Sequence, residues 1–495
     1  MKTLGIDVGS SSVKVSLMDV PSGRKVGSAV FPASEMPIAA PREGWAEQAP
    51  QMWWEYVCAG IRELSRRFDM GEVAAVGVTY QMHGLVCLDG RGEALRPAII
   101  WCDSRAVPYG ERAARELGES YCLEHTLNEP GNFTAAKMAW VREHEPETFA
   151  RTRHLLLPGD YVVYRLTGDI STTPGGLSEQ ILWDFREGTT AWPVADALGI
   201  PHGMIPDLRP SIGVQARVSA AAEAQLGIRR GTPVSYRAGD QPNNAFSLHV
   251  TECGEVAATA GTSGVVYGVT SSAAADPAMR VNTFLHVNHT AAAPRYGVLL
   301  CINGVGILNA WARRMWAPEI GYAEINALCE QVPAGSDGVT LLPFGNGAER
   351  MLGNRYTGVT LTGVDLNRHD RRHLLRAAQE GVACAFRYGM EVMRGVGLDL
   401  SVIRAGRANL FLSPLFRRTL ASLCGASIEL YDTDGSLGAA RGAALGAGLY
   451  ADRREAFASL ECVERVDPDP GSAALLEACY RRWRGELESR LKTQK

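Results

Sequence analysis

Thr3-Leu4-Gly5-Ile6-Asp7-Val8-Gly9-Ser10-Ser11-Ser12-Val13-Lys14-Val15-Ser16-Leu17-Met18-Asp19 decides how this chain is read. Two apolar runs flank a Gly/Ser tract, which predicts a strand, a tight turn and a returning strand. Glycine lets backbone N–H groups approach an anion closely. The hydroxyls of Ser10, Ser11 and Ser12 and the charge of Lys14 would complete a grip on a polyphosphate. Asp7, at the end of the first strand, would be repelled by phosphate and so makes sense only with a cation such as Mg²⁺ between them. An ordinary hairpin with a serine-rich turn and a capping aspartate explains the stretch equally well. The balance is tipped by an echo at Val256-Ala257-Ala258-Thr259-Ala260-Gly261-Thr262-Ser263-Gly264-Val265-Val266-Tyr267-Gly268, which has the same design. Two such turns, one per half, predict two similar domains facing one phosphate.

Composition narrows the partners. A chain of 495 residues with 46% hydrophobic residues can build several cores. A net charge of −4 gives no basic field for nucleic acid or an anionic membrane. No apolar run reaches the roughly 20 residues that span a bilayer. Eleven cysteines, odd in number and without a C-x-x-C pair, argue for reduced thiols and a cytoplasmic protein acting on small molecules. Neither G-x-x-x-x-G-K-[ST] nor G-x-G-x-x-G occurs, which removes Walker ATPases and dinucleotide enzymes.

Along the chain, Gly44-Trp45-Ala46-Glu47-Gln48 leads through Pro50 into an amphipathic helix carrying Trp53, Trp54, Val57, Ile61 and Leu64. A buried strand, 73–79, delivers Gln81-Met82-His83-Gly84. Polar residues at the carboxyl end of such a strand are where open α/β sheets bind ligands. Asp103 follows a second short strand, either as a ligand carboxylate or as a helix cap. Asn132 to His144 reads as a helix containing Lys137, and 155–185 as a segment of turns and β-formers. The strand 233–239 ends in Gly239-Asp240-Gln241, with a helix beyond it. The expected boundary between domains is at 245/246. Gly438-Ala439-Ala440 opens a small-residue stretch suited to close packing or to a flat ligand.

These motifs, in this order and over nearly the whole chain, resemble the FGGY carbohydrate kinases: Gly5-Ile6-Asp7-Val8-Gly9, Gly44 to Gln48, Gln81 to Gly84, Gly239-Asp240-Gln241, Gly261-Thr262-Ser263-Gly264 and Gly438-Ala439-Ala440. The resemblance implies an α/β chain of two actin-like, ribonuclease H-like domains, with ATP and sugar meeting in the cleft between them. It makes Asp240 the catalytic base and Asp7 the holder of Mg²⁺ and phosphate. Met82, His83, Asp103 and Gln241 fall on the sugar side. Gly261 and Thr262 would meet the ATP phosphates, with Gly304, Asn309, Gly406 and Asn409 nearer the nucleotide. Departures from the family pattern fall at Thr79-Tyr80, Cys102 and Ala405-Gly406-Arg407. The expected reaction is phosphoryl transfer to a ketopentose hydroxyl, with ribulose or glycerol as alternative acceptors and a homodimer compatible with the chain. An actin-like ATP-binding module without kinase activity is the rival from another class. A serine hydrolase built on Ser11-x-x-Lys14 lacks partner motifs.

Overall fold

The computed structural model describes residues 1–398 and 400–493. Two sheets organise it. The first contains β1 (Lys2–Val8), β2 (Val13–Asp19), β3 (Arg24–Phe31), β4 (Val73–Tyr80), β5 (Ile212–Arg217) and β6 (Pro233–Gly239), in the spatial order β3-β2-β1-β4-β6-β5. The second contains β7 (Glu255–Ala260), β8 (Gly264–Thr270), β9 (Asn282–Leu285), β10 (Tyr296–Ile302), β11 (Val402–Gly406), β12 (Ser427–Tyr431) and β13 (Cys462–Val466), in the order β9-β10-β8-β7-β11-β12-β13. Each sheet has an antiparallel meander of three strands, then two parallel strands, then an antiparallel edge strand. The echo between Gly9 and Gly261 is therefore an echo of whole sheets, with β9 added at one edge of the second.

Side-chain alternation assigns the two faces of the first sheet. Leu4, Ile6 and Val8 of β1, with Val76, Val78 and Tyr80 of β4, join one core with α1 (Pro50–Ser65). The helix presents Trp53, Val57, Ile61 and Leu64 to it at helical spacing, and Pro50 starts it where a missing N–H costs nothing. Residues of the other parity, Gly5 and Asp7, face the opposite way. In the register of the hairpin Gly5 lies opposite Ser16 and Asp7 opposite Lys14.

What covers that second face comes from the far end of the chain. Helix α7 (Gly435–Gly446) lies directly on it. Further helices include α2 (Thr134–His144), α3 (Pro174–Gln180), α4 (Asp240–Ser247), α5 (Gly306–Trp316) and α6 (Arg371–Arg394). A Cβ on Gly5 would stand 1.8 Å from the Ser436 carbonyl oxygen, and one on Gly77 2.1 Å from that of Ala439. Ser16 and Ser436 share a hydroxyl hydrogen bond at 2.7 Å. The small residues of α7 thus serve close packing of helix on sheet. In return α4, which follows the first sheet, packs Ala245 and Leu248 beside it against Ala257 and Tyr267 of the second. The expected boundary at 245/246 falls inside α4.

The segment read as turns and β-formers, 155–185, contains two helices, Pro158–Thr167 and α3. Pro158 begins the first of them, the Asp160 carboxylate accepts the Leu157 N–H, and Gly168 closes it in the left-handed region. β-branched residues within it, such as Val162 and Val163, are fully buried, so tertiary packing overrides their strand preference.

Candidate active site

Three elements meet at the carboxyl ends of β1 and β6 and the start of α7. Asp7, near the end of β1, lies against Gly435, where a Cβ would stand 2.3 Å from the Asp7 Oδ2 and 3.5 Å from the Asn243 Nδ2. Asn243 sits in the first turn of α4, the helix that Asp240 opens, and donates to the Gly435 carbonyl at 2.9 Å. Burial, then the neighbouring Asp240 and Asp434 carboxylates, push Asp7 up to about 7, with Lys14 opposing. Burial likewise lifts Asp240 to about 6 against hydrogen bonding from Gln241. Two carboxylates crowded in this way form a site for a cation or for a proton in transit.

Lys14 departs from its expected place. Its Nζ is 2.8 Å from Asp434 Oδ2, and Lys25 reaches the same oxygen at 3.0 Å, so the hairpin is tied to the α7 cap. Asp434 also caps α7 through the Leu437 N–H and is held well below the usual carboxylate range by Lys14 and Ser436, which outweigh its burial. Sequence reading missed it. An aspartate just before a glycine-rich helix is an N-cap signal that could have marked it. In the turn itself, the Ser10 carbonyl accepts from Gln48, the Ser11 carbonyl from Met36 N–H and the Ser12 carbonyl from Gly9 N–H.

Behind Asp240 lie the residues read as sugar contacts. Met82 is buried, and a Cβ on Gly239 would come within 2.6 Å of its Cγ and 3.0 Å of Glu179 Oε1. His83 adopts φ 61° and bonds through its backbone N–H to Glu179 Oε2 at 2.9 Å. Gln81 donates to Gln48, joining this loop to the first turn. Asp103 is placed differently. It is fully buried, and its two oxygens are taken by the Ala46 and Arg105 N–H groups and the Arg105 guanidinium, so no open oxygen remains for a sugar hydroxyl. Arg105 is in turn stacked on Trp45 at 3.6 Å and also pairs with Glu47. Asp103 orders the rim, which is the capping alternative in a stronger form.

On the second sheet, a pocket of about 490 Å³ opens beside the β7–β8 turn. Gly261, Thr262, Asn309 and Asn409 line it, together with Tyr322 and Asn326, which had no signal in the sequence. The start of α5 is pinned to that turn, Gly306 N–H to the Gly261 carbonyl at 2.7 Å and Ile307 N–H to that of Thr262 at 3.2 Å. Asn409 holds φ 55°, and its amide would lie 3.5 Å from a Cβ on Gly261. Gly304 and Gly406 are not among the lining residues. Gly304 packs on the Pro343 carbonyl, where a Cβ would stand 1.8 Å away, and Gly406 faces open space.

A crowded carboxylate pair on the first sheet, and a pocket of about 490 Å³ beside the matching glycine turn of a second, duplicated sheet, fit one class of protein. The chain belongs to the FGGY family of carbohydrate kinases, whose N-terminal domain matches residues 2–247 and whose C-terminal domain matches residues 256–451. The fold is accordingly the expected α/β pair of actin-like domains with a cleft between them. The xylulose kinase of Streptomyces rubiginosus is 33% identical over 407 residues, 80% of this chain and 78% of that one. The xylulose kinase of Escherichia coli (strain K12) is 27% identical over 465 residues, 92% of each. The solved structure of xylulose kinase from Rhodospirillum rubrum matches with a TM-score of 0.87 at 27% identity, covering 99% of both chains.

The raised Asp7 has a stability consequence. A carboxyl whose folded pKa, about 7, lies above its ordinary 3.8 contributes stability that is present below pH 3.8 and lost as pH rises through 7. Without metal or nucleotide, Asp7→Asn is therefore expected to gain melting temperature relative to the parent as pH rises from 5 to 8. Calorimetry that found the difference flat across that range would contradict this.

Proposed function

We propose that this kinase transfers the γ-phosphoryl group of ATP to a hydroxyl of a ketopentose, with D-xylulose giving D-xylulose 5-phosphate, in the cytoplasm. The curated relatives support that acceptor. The observation that carries the reading is the meeting of Asp7 and Asp240 at the starts of α7 and α4, with Asp240 close enough to push Asp7 up. In this reading residues 1–245 hold the sugar and residues 246–495 the nucleotide.

Phosphoryl transfer through a loose transition state asks mainly for alignment and charge stabilisation. Asp240 accepts the hydroxyl proton. A carboxylate lifted toward 6 is better matched to that task than an ordinary aspartate. Gln241 and Met82 position the sugar, and His83 hydrogen-bonds it. Backbone N–H groups of both glycine turns and the Ser10–Ser12 hydroxyls offset phosphate charge, and Lys14 can exchange Asp434 for phosphate when the cleft closes. Among the described residues no group of three or more His, Cys, Asp or Glu is set to hold a metal. Mg²⁺ is commonly bound through only one or two protein carboxylates. Asp7 would hold it, and the ion would supply charge stabilisation to the transferring phosphoryl group. Among the described residues no helix is long and apolar enough to cross a membrane.

A coupled ADP assay with ATP and Mg²⁺ over D-xylulose, ribulose, glycerol and gluconate tests the reading. D-xylulose is expected to give the largest kcat/KM, and ATP hydrolysis that no sugar accelerates would instead favour the non-kinase actin-like module.

A further inference from the structure

Two buried ionisable groups that phosphoryl transfer does not use, Glu179 of α3 and Lys137 of α2, converge on His83. The Glu179 carboxylate accepts the His83 backbone N–H at 2.9 Å, and its backbone carbonyl bonds the ring Nδ1 at 2.8 Å. Lys137 is fully buried and donates to the His83 carbonyl at 2.7 Å and the Ile100 carbonyl at 3.1 Å. Three sides of His83 are thereby fixed, which sustains a φ of 61° that a residue with a Cβ seldom adopts. Phe133, edge-on with ring centres 4.7 Å apart, sets the plane of the imidazole.

The protonation pattern follows from the partners. A backbone carbonyl can only accept, so Nδ1 carries the ring proton. A second proton is opposed first by burial and then by Lys137 while its amine is charged; burial pulls the pKa of that amine down to about 7. Nε2 then holds a lone pair. It takes no partner among the described residues, and the side chain keeps 17% exposure. We infer that Glu179 and Lys137 are positioning residues that hold His83 as a hydrogen-bond acceptor, so that the site selects substrates offering a hydroxyl donor there over those offering a carbonyl, carboxylate or ether oxygen. The substrate class rests on the sugar-kinase reading. The tautomer does not.

Two experiments separate these. Ring ¹⁵N shifts of the labelled protein, with the His83 signals identified by their loss in His83→Gln, are expected to show a neutral ring protonated at Nδ1 between pH 6 and 8. An Nε2-protonated or cationic ring overturns the inference whether or not any sugar is phosphorylated. With the best acceptor from the sugar panel, each hydroxyl except the one that receives the phosphoryl group is then replaced by hydrogen or by fluorine. At one position both analogues are expected to lose kcat/KM equally, about tenfold or more, because fluorine cannot donate. A fluoro analogue that keeps the activity its deoxy counterpart loses, or no position whose loss shrinks in Lys137→Met, overturns it. Lys137→Met should also raise KM for the sugar about tenfold with KM for ATP unchanged, the loss of roughly one well-made hydrogen-bonded contact. Should that variant not fold, Glu179→Gln, which keeps an oxygen for the His83 N–H, should hold the parental sugar KM while Glu179→Leu does not. Equal KM values in those two overturn the positioning role.

Discussion

Asp240→Asn is expected to lower kcat by roughly 10²-fold or more, the usual share of a general base, while sugar KM changes little. The amide keeps the shape and can still accept a hydrogen bond from the reacting hydroxyl, but it cannot take the proton. Asp240 stands at the first position of α4, where the helix end favours its charged form, and burial acts against that by lifting it to about 6. The parent should accordingly lose kcat/KM as pH falls below about 6. That limb should vanish from the residual activity of the variant. Because Asp7 and Asp240 are coupled, the apparent values belong to the pair. Steady-state kinetics across pH 5 to 8 checks both points, and a variant turning over within threefold of the parent would remove Asp240 from the role.

Gly5→Val is expected to be the most destabilising single change outside the chemistry. The nearest obstacle to its Cβ is the Ser436 backbone oxygen at 1.8 Å, with the Ala440 nitrogen at 2.6 Å, and neither can rotate away. Relief requires α7 to lift from the first sheet, which breaks the Ser16–Ser436 contact and shifts Gly435 from Asp7. Overpacking of this kind costs about 3 kcal/mol or more, on the order of 10 °C in melting temperature for a domain of this size. Gly203→Ala, where nothing lies within 4 Å, serves as the control. Calorimetry placing Gly5→Val within 2 °C of the parent would mean that the helix and sheet are not rigidly apposed.

Much of this arrangement was legible in the residues because it depends on local pattern. Apolar runs around Gly9 and Gly261 announce the two hairpins, and strand endings at Gln81 and Asp240 announce the cleft. The sequence reading stops where partners are distant in the chain. Nothing near Lys14 says that Asp434 will claim it. Glu179 was hidden in a helix that opens with Pro174-Gly175-Gly176 and so reads as a turn, and Asp103 looked like a ligand because its buried partners, Ala46 and Arg105, become visible only on folding. Gly304 and Gly406 show the same limit, since glycine marks a close approach or an open turn without saying to what.

The apposition of α7 on β1 and β4 also sets an order of events during synthesis. Gly5 waits about 430 positions, and Gly77 about 360, for the residues of α7 that cover them. At the pace of translation, roughly 5–20 residues per second, a trough floored by both glycines stays open for roughly 20–70 s. The leading half made alone should bind chaperones or precipitate, and co-production with a fragment carrying residues 248–495 should rescue it.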